Sequence, residues 1–212
     1  MKYKNILFDL DGTLTDSSDG IIKSVLYAYK KLGITPPDEE VLKTFIGPPL
    51  GDSFIKHSVP KEDEIKAVDI FRERYNVKGK FENRPYPGII DLLKELKEEG
   101  YRLYVATSKP EITAKEVLEH FDMAKYFDEI AGATLDGSRE KKNDVIEYLL
   151  KKQGIEDDIV MVGDTIYDVV GAKKLDLPCI AVTWGFGDIE DMKEAGAICI
   201  VKNMEELKNA IH

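Results

Sequence analysis

The chain has 212 residues, with 30 Lys+Arg against 40 Asp+Glu, for a net charge of −10 at neutral pH. This length holds one large core or two small ones, and the acidic excess excludes a general nucleic-acid binder, which needs a basic face for phosphate. Recurring apolar runs and a 43% hydrophobic content exclude a disordered chain, and no run approaches the ~18 apolar residues of a membrane span.

The first strand-like run is Ile6-Leu7-Phe8. Asp9 and Asp11 interrupt it, so it offers no signal-peptide core and the expected location is the cytoplasm. A long interval without a convincing strand follows. It carries helical spacing at Ile21, Ile22, Val25, Tyr29 and Leu32, at Val41, Leu42, Phe45 and Ile46, and at Ile65, Val68, Phe71 and Tyr75. Gly47-Pro48-Pro49 reads as a rigid turn between helices, and Asn83 to Pro87 as the return crossing, with Pro87 near a helix start.

Beyond Pro87, apolar runs at Leu103–Ala106, Ile159–Val162, Cys179–Val182 and Ala197–Val201, with a weaker one at Glu129-Ile130-Ala131, alternate with helical patterns. The helical patterns are Ile89, Leu92, Leu93 and Leu96, then Val117, Leu118 and Phe121, then Val145, Ile146 and Leu149. Gly100 and Gly154 follow two of them as C-terminal stops. The runs are continuous rather than alternating, as in strands covered on both faces. The expected fold is therefore α/β, a Rossmann-like parallel sheet core with helices on both faces, with a helical domain inserted after the first strand. Residues 1–14 and 85–212 are expected to form the core, and 15–84 the insert. Cys179 and Cys199 sit in strand-like runs and are expected as buried thiols rather than a disulfide.

Ligands of open parallel sheets bind at the carboxyl ends of strands, and polar clusters follow three of these runs directly. In Asp9-Leu10-Asp11-Gly12-Thr13, residues two apart on an extended chain point to one side. Asp9 and Asp11 converge there, which suits a hard divalent cation, one carboxyl ionised and the other able to carry a proton. The segment fails as an EF-hand, whose sixth and twelfth positions would be Leu14 and Gly20. Gly12 lets the backbone turn and brings amide hydrogens toward an anion. Thr107-Ser108 offers a hydroxyl and an amide for a phosphate oxygen, although such pairs also cap helices. Lys141 and Lys142 lead into the Val145 helix, and either could neutralise a phosphoryl group. Gly163-Asp164-Thr165-Ile166-Tyr167-Asp168 places two acids one helical turn apart, Asp164 as a metal ligand and Asp168 in support.

These four motifs in this order resemble the haloacid dehalogenase superfamily, over essentially the whole chain, and the insert resembles that family's helical cap. The resemblance implies a phosphatase of small phosphorylated metabolites, with no nucleic acid or membrane partner and Mg²⁺ as cofactor. It implies Asp9 as the nucleophile and Asp11 as the acid and base. Asp11 must be protonated at first, a state neighbouring anions would favour. It further implies Gly12, Thr107 and Ser108 at the phosphoryl oxygens and Lys142 as the charge-cancelling lysine, with Lys141 the alternative. The Mg²⁺ ligands would be Asp9, Asp11 through its carbonyl, and Asp164, with Asp168 behind. The loop around Gly47 and Pro48 resembles the substrate-selecting cap loop of phosphoglycolate phosphatases and 5′-nucleotidase-type phosphatases, and Asp136-Gly137-Ser138-Arg139 tilts toward the second. Lys43, Lys56 and His57 are candidate cap cations, Phe45 and Phe54 candidate nucleoside platforms. A pyrophosphatase, a sugar phosphomutase and a non-enzymatic phospho-acceptor module are the alternatives.

Overall fold

The first apolar run forms β1 (Asn5–Phe8) in the computed structural model of the chain, which describes residues 2–212. The elements then run β2 (Thr15–Asp16), α1 (Ser18–Leu32), α2 (Glu39–Lys43), α3 (Leu50–Lys56), α4 (Glu64–Tyr75), β3 (Arg84–Pro85), α5 (Ile89–Glu98), β4 (Arg102–Pro110) and α6 (Glu111–His120). They finish with β5 (Glu129–Ala133), α7 (Lys142–Gln153), β6 (Ile159–Gly163), α8 (Ile166–Lys173), β7 (Cys179–Val182), α9 (Ile189–Ala195), β8 (Cys199–Val201) and α10 (Met204–Ile211). The chain divides into two units, one of residues through Thr15 with Pro85–His212, the other Asp16–Arg84.

The first unit is built on a six-stranded sheet in the order β5-β4-β1-β6-β7-β8, with parallel neighbours throughout. Side chains alternate between its faces, and both faces are covered. Ile6, Phe8, Val105 and Val162 pack with Leu93 and Leu96 of α5, Val117 of α6 and Leu207 of α10. Leu7, Tyr104, Met161 and Ala181 pack with Val145 and Leu149 of α7, Val169 of α8 and Met192 of α9. Burial on both faces is why the strands read as unbroken apolar runs. β1 lies between β4 and β6, where the strand order reverses, so its carboxyl end is the topological switch point. Cys179 is buried and Cys199 partly buried, both as free thiols. Among the described residues, no helix is long and apolar enough to cross a membrane.

The second unit is helical. Its centre is aromatic, with the Tyr29, Phe45 and Phe54 rings 5.4–6.3 Å apart and the Tyr29 hydroxyl donating to the His57 carbonyl at 2.6 Å. α4 buries Ala67, Phe71 and Tyr75, while Ile65, expected on the inner face, is 76% exposed. The buried stripe follows i, i+4, i+8 and keeps the expected Phe71 and Tyr75, with Ala67 in place of Ile65. The chain enters and leaves through β2 and β3, which pair as a two-residue ribbon where no strand was expected. Asp16 and Arg84 clasp that ribbon at 2.7 Å.

Candidate active site

Asp9 caps the carboxyl end of β1, and its N–H donates to the Val162 carbonyl of β6 at 2.9 Å. The backbone then turns sharply. The N–H groups of Leu14 and Thr15 both donate to the Leu10 carbonyl, and Gly12 adopts φ +91°. The Gly12 amide, expected to face an anion, is committed to the Thr15 carbonyl at 2.8 Å. What position 12 requires is space, because a Cβ there would lie 2.1 Å from Asp164 Oδ2. Glycine alone satisfies both the φ and the contact.

Three carboxylates converge at this strand end. Ligand oxygens of Asp9, Asp164 and Asp168 lie within 4.8 Å of one another, and all three residues are buried. Lys142, at the first position of α7, reaches in to Asp9 Oδ1 at 2.7 Å, Asp168 Oδ1 at 2.8 Å and the Ala106 carbonyl at 3.0 Å. Lys141 is exposed at the N-cap of α7, so Lys142 is the lysine the fold brings to Asp9. Asp164 accepts from the Thr13 hydroxyl at 3.0 Å and the Phe186 N–H at 2.9 Å. Asp168 Oδ2 accepts from the Thr165 N–H and hydroxyl at 3.0 and 2.9 Å, closing a capping box on α8. Asp168 thus orders the helix with one oxygen and faces Lys142 with the other.

Glycines make room for the cluster. A Cβ at Gly163 would lie 2.3 Å from Asp168, at Gly185 2.3 Å from Asp164, and at Gly171 2.7 Å from the Lys142 stem.

The electrostatics match this crowding. Burial pushes Asp9 up to about 6, with Lys142 pulling against it and Asp168 adding to it. Burial, then Asp168 and Asp9, raise Asp164 well above the carboxylate range, against its bonds to Phe186 and Thr13. Burial pulls Lys142 down, but Asp168 and Asp9 outweigh it and hold the ammonium above the usual lysine range. One ammonium balances only part of three buried carboxylates. A divalent cation would complete the charge, and an all-oxygen donor set suits a hard one.

Asp11 turns elsewhere. Its two oxygens lie 2.9 and 2.6 Å from Lys109 Nζ, so a cation stands where anions were expected, and its carbonyl rather than its carboxylate is left as a candidate ligand. Thr107 is buried and Ser108 exposed, and Thr107 Oγ1 accepts from the Lys109 N–H at 3.2 Å. Lys109, Thr13 and the Phe186 amide belong to the site beyond the residues expected from the sequence. The signal for Lys109 was its place two residues after Thr107 on an extended strand; a backbone donor such as Phe186 leaves no sequence signal.

Phe45 and Phe54 are 2% and 0% exposed and form the core of the helical unit rather than open platforms. His57 lies against Phe45, and Lys43 pairs with Glu40 at 2.9 Å. Gly47, at φ +105°, and Pro48 lie in the turn between α2 and α3 of that same unit. Trp184 donates its indole N–H to the Thr13 carbonyl at 3.1 Å. Arg139 donates to the Gly132 carbonyl at 2.8 Å and Glu111 at 2.6 Å and stacks on Tyr148, clamping β5, α6 and α7.

Comparison with known proteins agrees with this geometry. Residues 6–182 match the haloacid dehalogenase-like hydrolase family. A 5′-nucleotidase of Pseudomonas aeruginosa is 43% identical over 195 residues, covering 91% of this chain and 88% of the relative. The tyrosine-protein kinase PtkA of Mycobacterium tuberculosis is 36% identical, covering 97% of this chain and 72% of the relative. The crystal structure of a predicted phosphatase from Clostridium acetobutylicum superposes with a TM-score of 0.93 at 48% identity, covering 99% of this chain and 98% of the other. The chain belongs to the haloacid dehalogenase-like hydrolases, as a phosphatase of that family.

Proposed function

We propose that this phosphatase hydrolyses 5′-nucleoside monophosphates with Mg²⁺ at its carboxylate cluster, carrying the phosphoryl group on Asp9. The observation that carries the reading is the buried contact of Lys142 with both Asp9 and Asp168. A carboxylate attacking a phosphate dianion meets like charge, so the nucleophile needs a fixed cation beside it. Lys142 supplies one, and Thr107 with Ser108 binds the phosphoryl oxygens. Mg²⁺ held by Asp9, Asp164 and the Asp11 carbonyl, with Asp168 in support, would screen the remaining charge. An Asp9 oxygen attacks phosphorus as the P–O bond to the leaving group breaks, and Asp11 gives its proton to the departing oxygen. Asp11, now a carboxylate, then takes a proton from water as that water attacks phosphorus, which restores Asp9 and frees phosphate. The nucleotide assignment is supported by the 43%-identical relative named a 5′-nucleotidase. Substrate choice is assigned to the helical insert, as a cap, through its Gly47-Pro48 loop.

The test is phosphate release from nucleoside 5′-monophosphates, 2-phosphoglycolate, sugar phosphates, pyrophosphate and O-phosphotyrosine, with Mg²⁺ or with EDTA. Release from nucleotides far above the rest, lost in EDTA, is the expected result. A preference for 2-phosphoglycolate would move the assignment to that branch. A preference for O-phosphotyrosine would instead favour the chemistry named for the kinase relative. Undiminished release in EDTA would remove the cation from the mechanism.

A further inference from the structure

We propose that Lys109 is a positioning residue for Asp11, holding its carboxylate in place for both proton transfers; this rests on the acid–base reading of Asp11. The feature starts in β4, whose register against β5 shifts between Ala106 and Pro110. Through that irregular stretch Thr107 and Lys109 point inward while Ser108 faces solvent, and the Lys109 N–H binds Thr107 Oγ1 at 3.2 Å. The Lys109 side chain is only 4% exposed, and its ammonium contacts both oxygens of Asp11, at 2.9 and 2.6 Å.

A lysine serving only solubility would keep its ammonium in water. Burying it is costly without a partner, and the partner is the residue that must move protons. Contact with both oxygens restrains rotation of the carboxylate. The same strand carries Thr107, so the phosphoryl-binding turn and the proton-transfer group are fixed to one backbone segment. Two lysines thus divide two aspartates: Lys142 stands by Asp9 and Lys109 by Asp11. In neither half-reaction does Lys109 give up a proton. Asp11 protonates the leaving oxygen, later receives a proton from water, and is held in place for both.

The experiment compares wild type, Lys109→Met, Lys109→Arg and Asp11→Asn with Mg²⁺ on two substrates. One is the best alkyl monoester of the panel, whose leaving oxygen needs a proton. The other is p-nitrophenyl phosphate, whose phenolate departs without one. For Lys109→Met on the alkyl ester, kcat should fall about tenfold or more while KM stays within roughly threefold. On p-nitrophenyl phosphate the same variant should give a burst of about one nitrophenolate per site followed by slow turnover, because water attack still needs Asp11. Lys109→Arg should regain most of the loss. A merely structural role would shrink burst and steady rate together, and that result, or a kcat within about twofold of wild type, would overturn the proposal. Melting curves check folding, and Lys109→Gln is read in the same way should the Met variant fail to fold. Turnover retained by Asp11→Asn would defeat the acid–base reading itself. An inactive Asp11→Asn beside a wild-type-like Lys109→Met would defeat the positioning role alone.

Discussion

As the proposed nucleophile Asp9 would have to be an anion, yet the fold buries it and raises it to about 6 from an ordinary 3.8. Between those two values the folded chain, free of divalent cation, holds more protons than the unfolded one, so its stability falls as pH rises through about 6. Relative to Asp9→Asn, the metal-free wild type should lose on the order of 2 kcal/mol between about pH 4 and pH 7.5. Urea unfolding in EDTA across that range measures the difference, and a constant gap between the two proteins would contradict it. Among residues the sequence was most readable where chemistry and strand ends coincide, as at Asp9 and Asp164, while Lys142 opens α7. Lys109 was overlooked although it lies two residues after Thr107, on the same side of an extended strand, because a lysine after a strand run reads as a solvated charge. Gly12 does let the backbone turn, as expected, but its own amide bonds Thr15 and its missing side chain accommodates Asp164.

The elements hold these residues by close approach. On α8, alanine in place of Gly171 would favour the helix by roughly 1 kcal/mol on propensity alone. Its Cβ, however, would lie 2.7 Å from Cβ and Cγ of Lys142, and overpacking of that kind costs about 1–3 kcal/mol. The steric effect wins. Gly171→Ala is expected to fold, to melt no higher than wild type, and to lose about tenfold or more in kcat as Lys142 moves off Asp9. A variant with full activity and a raised melting temperature would show that the lysine stem yields freely. Parallel strands were legible in the sequence because both faces of the sheet are packed, which makes each run continuous. The β2–β3 ribbon was not, since two residues per strand carry no periodicity. In α4 the inner Phe71 and Tyr75 were legible, but Ala67 rather than Ile65 takes the third buried position, and apolarity alone does not rank them. Arg139, in a segment that suggested a nucleotidase, is a clamp between elements.

The whole molecule carries a charge of −10 and nonetheless handles phosphate, so the local field must be reversed where substrate binds. On the proposed mechanism Lys142 and Lys109 do part of this, and the surplus of buried carboxylate would leave the rest to a divalent cation. Mg²⁺ should therefore raise the melting temperature of the wild type in proportion to its binding, and Asp164→Asn should lose most of that rise. A scan with Mg²⁺ against EDTA reads both, and an equal rise in the variant would place the ion elsewhere. Chemical trapping shows whether Asp9 itself carries the phosphoryl group, as proposed. Wild-type protein is mixed with substrate and Mg²⁺, quenched, reduced with borohydride and sequenced by mass spectrometry. Homoserine is expected at position 9, absent without substrate. Metal-dependent turnover with position 9 still aspartate, and a trapped or phosphorylated residue elsewhere, would contradict it.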